Sequence, residues 1–129
     1  MERTRVAIVA DDLIWASRLA AAVERAGAEA VRPGRSGELP GPFGGAIVDL
    51  GARSFDGLTA VGSWRSAGVP VIAVAQHDDV ALRKQALASG AARVYSYNKL
   101  FADGPAVIAA WLAGLGRGVG AEGRQGDPS

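Results

Sequence analysis

Short apolar runs that stop abruptly at aspartate constrain the fold of this chain more than any other feature. Val6–Ala10 is rich in β-branched residues and is followed directly by Asp11 and Asp12. Ala46–Leu50 repeats the plan, with Asp49 at the end of its apolar stretch. Runs without polar alternation are typical of strands that are covered on both faces, as in parallel sheets. The chain is therefore predicted to contain a buried parallel sheet.

Helical segments alternate with these strands. Apolar spacing, aspartate caps and closing glycines predict helices from about Leu13 to Ala26, from about Gly57 to Ala67, from Asp78 or Asp79 to Ser89, and from Asp103 to Ala113. The remaining strands are predicted at Glu29–Arg32, Val69–Ala75 and Arg93–Tyr97. Strands alternating with helices indicate helices on both faces of the sheet. The prediction is a doubly wound, flavodoxin-like α/β fold with strand order 2-1-3-4-5.

The length of 129 residues favours a single domain, and we predict it to cover residues 1–113. Residues 114–129 are rich in Gly and polar side chains and are predicted to be a flexible tail. The segment Pro33–Gly45 is dense in Pro and Gly, so the second helix of such a fold is expected to be shortened or missing there.

Composition excludes several classes of function. The net charge is +1, with 14 Lys and Arg against 13 Asp and Glu, which gives no reason to expect nucleic acid or an anionic membrane as a partner. The absence of Cys rules out disulfides and thiolate chemistry, and a single His argues against zinc. The first apolar run stops at Asp11, too soon for a signal peptide or a membrane span. A cytoplasmic protein is predicted.

The three aspartates are expected to meet at one edge of the sheet. In the predicted order the first and third strands are neighbours, and ligands of open α/β sheets bind at their carboxyl ends. Three carboxylates together repel, so a divalent cation, a nearby Lys or Arg, or raised pKa values must offset their charge. Oxygen ligands favour Mg²⁺. The simpler alternative is that Asp11 or Asp12 caps the first helix and Asp49 ends its strand in solvent.

Five short motifs occur in order along the chain. They are Asp11-Asp12 after the first strand, Asp49 at the end of the third, Asp56-Gly57 opening a helix, Pro70–Val74 in the fourth strand, and Ala88–Ala91 before the fifth. In this order and at this spacing they resemble the motifs of response-regulator receiver (CheY-like) domains. The resemblance runs from about Arg5 to Leu112.

The resemblance implies a role for each acid. Asp49 would be the phosphoacceptor, and Mg²⁺ would be held by Asp11, Asp12, Asp49 and the backbone carbonyl of Gly51. It also implies a histidine kinase or phosphotransfer protein and a downstream protein as partners, and it allows for a homodimer.

The chain departs from the family at the positions whose side chains respond to phosphorylation of the aspartate. The Ser or Thr that ends the fourth strand is Ala75 here, and a methyl group cannot donate a hydrogen bond. The Lys that follows the fifth strand is replaced by Tyr97, with Lys99 two residues later. Either a bulge brings Lys99 into the pocket as a catalytic residue, or Lys99 is a solvated loop side chain. The family also carries an aromatic switch residue in the fifth strand, and the aligned residue here is Val94.

Three hypotheses follow. The first is a single-domain, atypical receiver of a two-component phosphorelay, not an enzyme, with Asp49 as its phosphorylation site. The second is a pseudo-receiver that works without phosphorylation as a protein-interaction module. The third is a small Mg²⁺-dependent phosphotransfer enzyme. A Lys99 close to Asp49 would favour the phosphoacceptor, whereas a Lys99 in solvent would favour the interaction module.

Overall fold

Strands and helices alternate along the part of the chain that the structure describes. The computed structural model describes residues 3–32 and 42–121. Its strands are β1 (Arg5–Val9), β2 (Glu29–Val31), β3 (Gly45–Asp49), β4 (Val71–Ala75) and β5 (Arg93–Ser96). Its helices are α1 (Leu13–Arg25), α2 (Gly57–Ser66), α3 (Val80–Ser89) and α4 (Tyr97–Ala121).

The five strands form one parallel sheet in the order β2-β1-β3-β4-β5. Helices α1 and α4 pack against each other on one face, and α2 and α3 pack together on the other. This arrangement confirms the predicted flavodoxin-like, doubly wound α/β fold.

Alternate residues of the central strands enter two separate cores. The core under α1 and α4 contains Val6, Ile8, Ile47, Ile72 and Val74. The core under α2 and α3 contains Ala7, Ala46, Val48, Val71 and Ala73. All ten side chains are fully buried, and each buried Val or Ile contributes roughly 1.5–3 kcal/mol through removal from water. Continuous apolar runs are thus required because both faces of the sheet are covered.

The register of the sheet brings the predicted acids to one edge. Val9 pairs with Val48, so the end of β1 lies level with the end of β3. Asp49 pairs with Val74 near the end of β4. The chain leaves all three strands at the same edge, which is the topological switch point of this fold.

Helices α1, α2 and α3 begin at aspartate caps and end at glycines. The carboxylates of Asp12, Asp56 and Asp79 accept backbone N–H groups at the starts of α1, α2 and α3. Glycines with positive φ follow the same three helices, at Gly27, Gly68 and Gly90. Only glycine adopts this conformation without strain, so each glycine stops its helix.

The last helix differs from its predicted bounds. A helix was expected from Asp103 to Ala113. The segment α4 runs from Tyr97, directly after β5, to Ala121, but it consists of two helices joined by a kink at Asp103, so the predicted start coincides with the start of the second helix. At this interruption the φ of Asp103 is −127° and its ψ is 23°. Pro105 lacks the N–H that would bond to the carbonyl of Phe101, which accounts for the interruption. The hydroxyl of Ser96 caps the new start by accepting the N–H of Lys99.

Two predictions lie wholly or partly outside the described residues. The loss of the second helix falls mainly on residues 33–41, and the distal part of the predicted tail falls on residues 122–129. The domain boundary at residue 113 therefore stays a prediction, although α4 takes in residues 114–121. No helix in the described ranges is long and apolar enough to span a membrane.

Candidate functional site

The carboxyl edge of the sheet carries a cavity of about 690 Å³, which we call the acid cavity. It is lined by Asp11, Asp12, Trp15, Asp49, Gly51, Arg53, Ala75, Gln76, Asp79, Leu82, Tyr97 and Asn98. The structure therefore brings together the four residues that were predicted to hold a metal. Four of the lining residues are aspartates, whereas Arg53 is the one Lys or Arg among them.

Asp11 fastens the loop that follows β3. Its Oδ2 accepts the N–H of Ser54 at 2.6 Å and the N–H of Arg53 at 2.9 Å. Hydrogen bonds from Ser54 and then from Arg53 stabilise the charged carboxylate, so the pKa of Asp11 is lowered. Asp11 thus has a structural role in shaping the acid cavity.

Asp12 is the N-cap of α1. Its Oδ1 accepts the N–H groups of Ile14 at 2.9 Å and Trp15 at 3.0 Å. These two N–H groups have no partner within the helix, and a capping carboxylate supplies one. The capping alternative raised for Asp11 or Asp12 therefore describes Asp12.

Asp49 is the buried acid of the site, with 3% of its surface exposed. Its Oδ1 accepts the N–H of Gly51 at 2.9 Å and the hydroxyl of Tyr97. A buried carboxylate needs such donors because losing its water is costly. The alternative in which Asp49 ends its strand in solvent is wrong.

Tyr97 occupies the place where the resemblance calls for a lysine. Its ring stacks on Trp15, with centroids 4.8 Å apart and planes inclined by 30°. Burial raises the pKa of the Tyr97 phenol, and its hydrogen bond to Asp49 and the charge of that carboxylate raise it further. Tyr97 therefore stays a neutral donor that holds Asp49.

Gly51 makes room for this contact. A Cβ atom built on Gly51 would lie 2.5 Å from the Tyr97 hydroxyl, closer than real Cβ contacts allow. The pairing of Gly51 and Tyr97 was not predicted. The signal for it was present, since a residue with a hydroxyl directly follows the last strand at the edge that holds a buried acid.

Lys99 lies away from Asp49. Its Nζ is 3.1 Å from a carboxylate oxygen of Asp103, and both side chains are about half exposed. Lys99 is not among the described residues that line the acid cavity. This geometry matches the interpretation of Lys99 as a solvated residue. Ala75 does line the cavity, is 1% exposed, and pairs with Ser96 in β5.

The described acids do not form a metal site of three side chains as they stand. The hydrogen bonds found within the described residues fall on one oxygen each of Asp11, Asp12 and Asp49. These bonds turn the carboxylates toward different partners. In the described ranges no three carboxylate or imidazole side chains are grouped closely enough to bind an ion together. The oxygen donor set suits Mg²⁺, but its present arrangement does not.

A second cavity, of about 330 Å³, adjoins the acid cavity, and we call it the α1–α4 groove. It is lined by Asp12, Ile14, Trp15, Arg18, Tyr97, Asn98 and Phe101. The Arg18 guanidinium lies 4.3 Å from the centre of the Phe101 ring. Two of its lining residues, Ile14 and Phe101, are exposed by 70% and 61%, so large apolar side chains border the groove.

The fold and the edge cavity together define a flavodoxin-like α/β domain with an acidic switch point. No protein-family model and no curated protein matches the sequence. Solved structures do match the fold. A CheY-like response regulator receiver domain protein from Methanospirillum hungatei JF-1 superposes with a TM-score of 0.75 at 19% identity, covering 90% of this chain and 98% of its own.

Two further structures extend this comparison. A response regulator from Burkholderia pseudomallei, solved with a phosphorylated aspartic acid, a calcium ion and citrate, gives a TM-score of 0.69 at 19% identity over 97% of this chain and 75% of its own. Full-length FixJ from B. japonicum gives a TM-score of 0.74 at 18% identity, covering 95% of this chain and 64% of its own. The chain therefore has the fold of a CheY-like response regulator receiver domain.

Proposed function

We propose that this chain is a signalling module of a two-component pathway that works through protein contacts, without a phosphoryl group on Asp49. It is a pseudo-receiver and an interaction module, not an enzyme. The observation that carries the proposal is the hydrogen bond from Tyr97 to Asp49.

The Tyr97 contact opposes phosphorylation in two ways. Its hydroxyl donates a hydrogen bond to Oδ1 of Asp49, which stabilises the charged carboxylate and makes it a weaker nucleophile toward phosphorus. It also replaces a cation with a neutral donor, so the developing charge of a transferred phosphoryl group is less well stabilised. Ala75 adds no hydroxyl at the end of β4, and Lys99 is paired with Asp103. The acceptor aspartate is thus retained without the groups that would assist it.

The surface around the α1–α4 groove supports a role in protein binding. Ile14 and Phe101 line the groove and are large apolar side chains, each more than half exposed. Exposed apolar groups that cluster next to a charged residue such as Arg18 are typical of protein-interaction surfaces. We propose a histidine kinase or phosphotransfer protein, or a downstream effector, as the class of partner.

Incubation with Mg²⁺ and acetyl phosphate, followed by intact-mass measurement, tests the proposal. We expect no added phosphate on the wild type and none on Asp49→Ala. The double variant Tyr97→Lys with Ala75→Thr keeps Asp49 and restores a cation and a hydroxyl. We expect it to gain phosphate that is lost again when Asp49→Ala is added. Phosphate on the wild type that disappears in Asp49→Ala would overturn the proposal.

That overturning result would support a second candidate, in which Asp49 is a Mg²⁺-dependent phosphoacceptor. The observation in its favour is that Asp11, Asp12, Asp49 and Gly51 line one cavity. It requires Tyr97 to leave Asp49 and the carboxylates to turn from their present N–H partners. Isothermal titration of the wild type with MgCl₂ reports on this step, and Tyr97→Phe should bind Mg²⁺ more tightly if the phenol is the obstacle.

A further inference from the structure

Tyr97 lines two adjoining cavities at the same end of the fold. The acid cavity and the α1–α4 groove share the lining residues Asp12, Trp15, Tyr97 and Asn98. Among these, Tyr97 binds Asp49 through its hydroxyl and stacks on Trp15 through its ring. We propose that Tyr97 is a movable partition: its contact with Asp49 sets the shape of the α1–α4 groove, and the groove in turn holds Tyr97 on Asp49.

This inference goes beyond the proposed function, because the coupling needs no phosphoryl group and holds whichever partner binds. Coupling between two sites is reciprocal, so a change on either side must be felt on the other. The physical requirement is an element with two arrangements that both cavities contact.

The start of α4 is the element that contacts both cavities, through Tyr97. Tyr97 and Phe101 are four residues apart in a helix, so they lie on the same face. Both precede the interruption at Asp103, and Pro105 cannot donate to the Phe101 carbonyl. This first turn is therefore fastened less firmly to the rest of α4 than an unbroken helix would be. A shift of Tyr97 is carried to Phe101, which contacts Arg18 of α1.

On the acid side, Gly51 leaves the space that the Tyr97 hydroxyl occupies. Gly51 lines the acid cavity and not the groove, and only the lack of a side chain at Gly51 admits the Tyr97 hydroxyl. Its φ is not among the positive values found at the described glycines, so alanine is compatible with its backbone. Gly51→Ala consequently displaces the Tyr97 hydroxyl by a substitution at a residue that is not itself part of the groove lining.

NMR of the full chain tests the coupling from the acid side. The chain has two tyrosines, so 3-fluorotyrosine in a Tyr95→Phe background gives a single ¹⁹F signal from Tyr97. The Ile14 δ1-methyl group reports on the groove. We expect Gly51→Ala to shift both signals, while the methyl groups of buried Ile47 stay in place. The matched control is Gly62→Ala, where a Cβ meets nothing within 4 Å.

A shift of the Tyr97 signal with no change at Ile14 would overturn the coupling, and so would an unchanged Tyr97 signal. Neither result bears on whether Asp49 is phosphorylated, so failure here is distinct from failure of the proposed function.

The groove side supplies the reciprocal experiment. Phe101 is 61% exposed, so Phe101→Ala should leave the fold intact. We expect it to shift the ¹⁹F signal of Tyr97, although Phe101 does not line the acid cavity. Leu87→Ala, a similarly exposed apolar residue on α3, serves as the control and should leave the signal unchanged. A Tyr97 signal that ignores Phe101→Ala would contradict the proposal.

Discussion

At the scale of single residues, Asp49 combines burial with charge. It is the one buried polar side chain among the described residues, and the other residues of its strand β3 are Gly, Ala, Ile and Val. Two donors meet its Oδ1, the N–H of Gly51 and the hydroxyl of Tyr97. Hydrogen bonds to a charged group contribute more than neutral ones, so these contacts offset much of the cost of burying the acid.

Removing the Tyr97 hydroxyl should destabilise the protein in a pH-dependent way. At neutral pH we expect Tyr97→Phe to lower the free energy of unfolding by about 1–3 kcal/mol, since Asp49 loses a donor. In the unfolded chain the phenol ionises near its ordinary pKa of 10.0, whereas the fold raises that pKa. The wild type must therefore lose stability as the pH rises above 10.0, and its advantage over the variant should shrink.

Urea denaturation of both proteins, from neutral pH to above pH 10, measures this difference, with Tyr95→Phe as the control. A gap between wild type and Tyr97→Phe that stays constant with pH would contradict the assigned contact.

At the scale of elements, each of the helices α1, α2 and α3 starts at an aspartate that accepts N–H groups from its first turn. The acid edge of the sheet is also the edge where these helices begin. Acids at this edge therefore serve helix capping as well as any ligand chemistry. The two roles can be separated by substitution, because an amide caps a helix but does not carry the charge of a carboxylate.

Asp12 offers the sharpest separation. We expect Asp12→Ala to lower the free energy of unfolding by about 1 kcal/mol, since the N–H groups of Ile14 and Trp15 lose their acceptor. Asp12→Asn should lower the free energy of unfolding by only about 0.3 kcal/mol, because Asn is an equally good N-cap. Thermal or urea unfolding decides the matter, and equal losses in the two variants would argue against the capping role.

The elements were largely predictable because local patterns specify them. Apolar runs predicted the strands, and Gly27, Gly68 and Gly90 marked helix ends that a positive φ confirms. The start of α4 was not predictable in this way. β5 is short, no loop separates it from the helix, and the first turn of α4 lacks a marked apolar period.

At the scale of the whole molecule, the candidate site was predicted from the strand order and not from local sequence patterns. The strand order alone placed Asp11, Asp12 and Asp49 at one edge, and the structure lines one cavity with them. The bond between Tyr97 and Asp49 joins residues 48 positions apart. It depends on side-chain direction and on the space left by Gly51, which no periodicity encodes.

Packing of the last helix on the sheet depends on a second close approach. A Cβ on Gly45, at the start of β3, would lie 2.6 Å from the Trp111 ring of α4. We expect Gly45→Ala to lower the free energy of unfolding by about 1–3 kcal/mol through overpacking.

The matched comparison is Gly62→Ala in α2, where the added methyl group meets open space. Alanine favours a helix over glycine by up to about 1 kcal/mol, so this variant should be neutral or more stable. Chemical denaturation gives the free energy of unfolding of both variants. Equal values for Gly45→Ala and Gly62→Ala would contradict the close contact between Gly45 and the Trp111 ring.

The burial of Asp49 also bears on how the chain finds its strand register. β3 lies between β1 and β4 and is apolar apart from this residue, so apolar contacts alone distinguish neighbouring alignments weakly. Sliding β3 by one position would pull the carboxylate between covered faces, away from the Tyr97 hydroxyl. A charge left there without its donors is strongly unfavourable. The buried acid at the end of β3 thereby disfavours slipped alignments of the central strand.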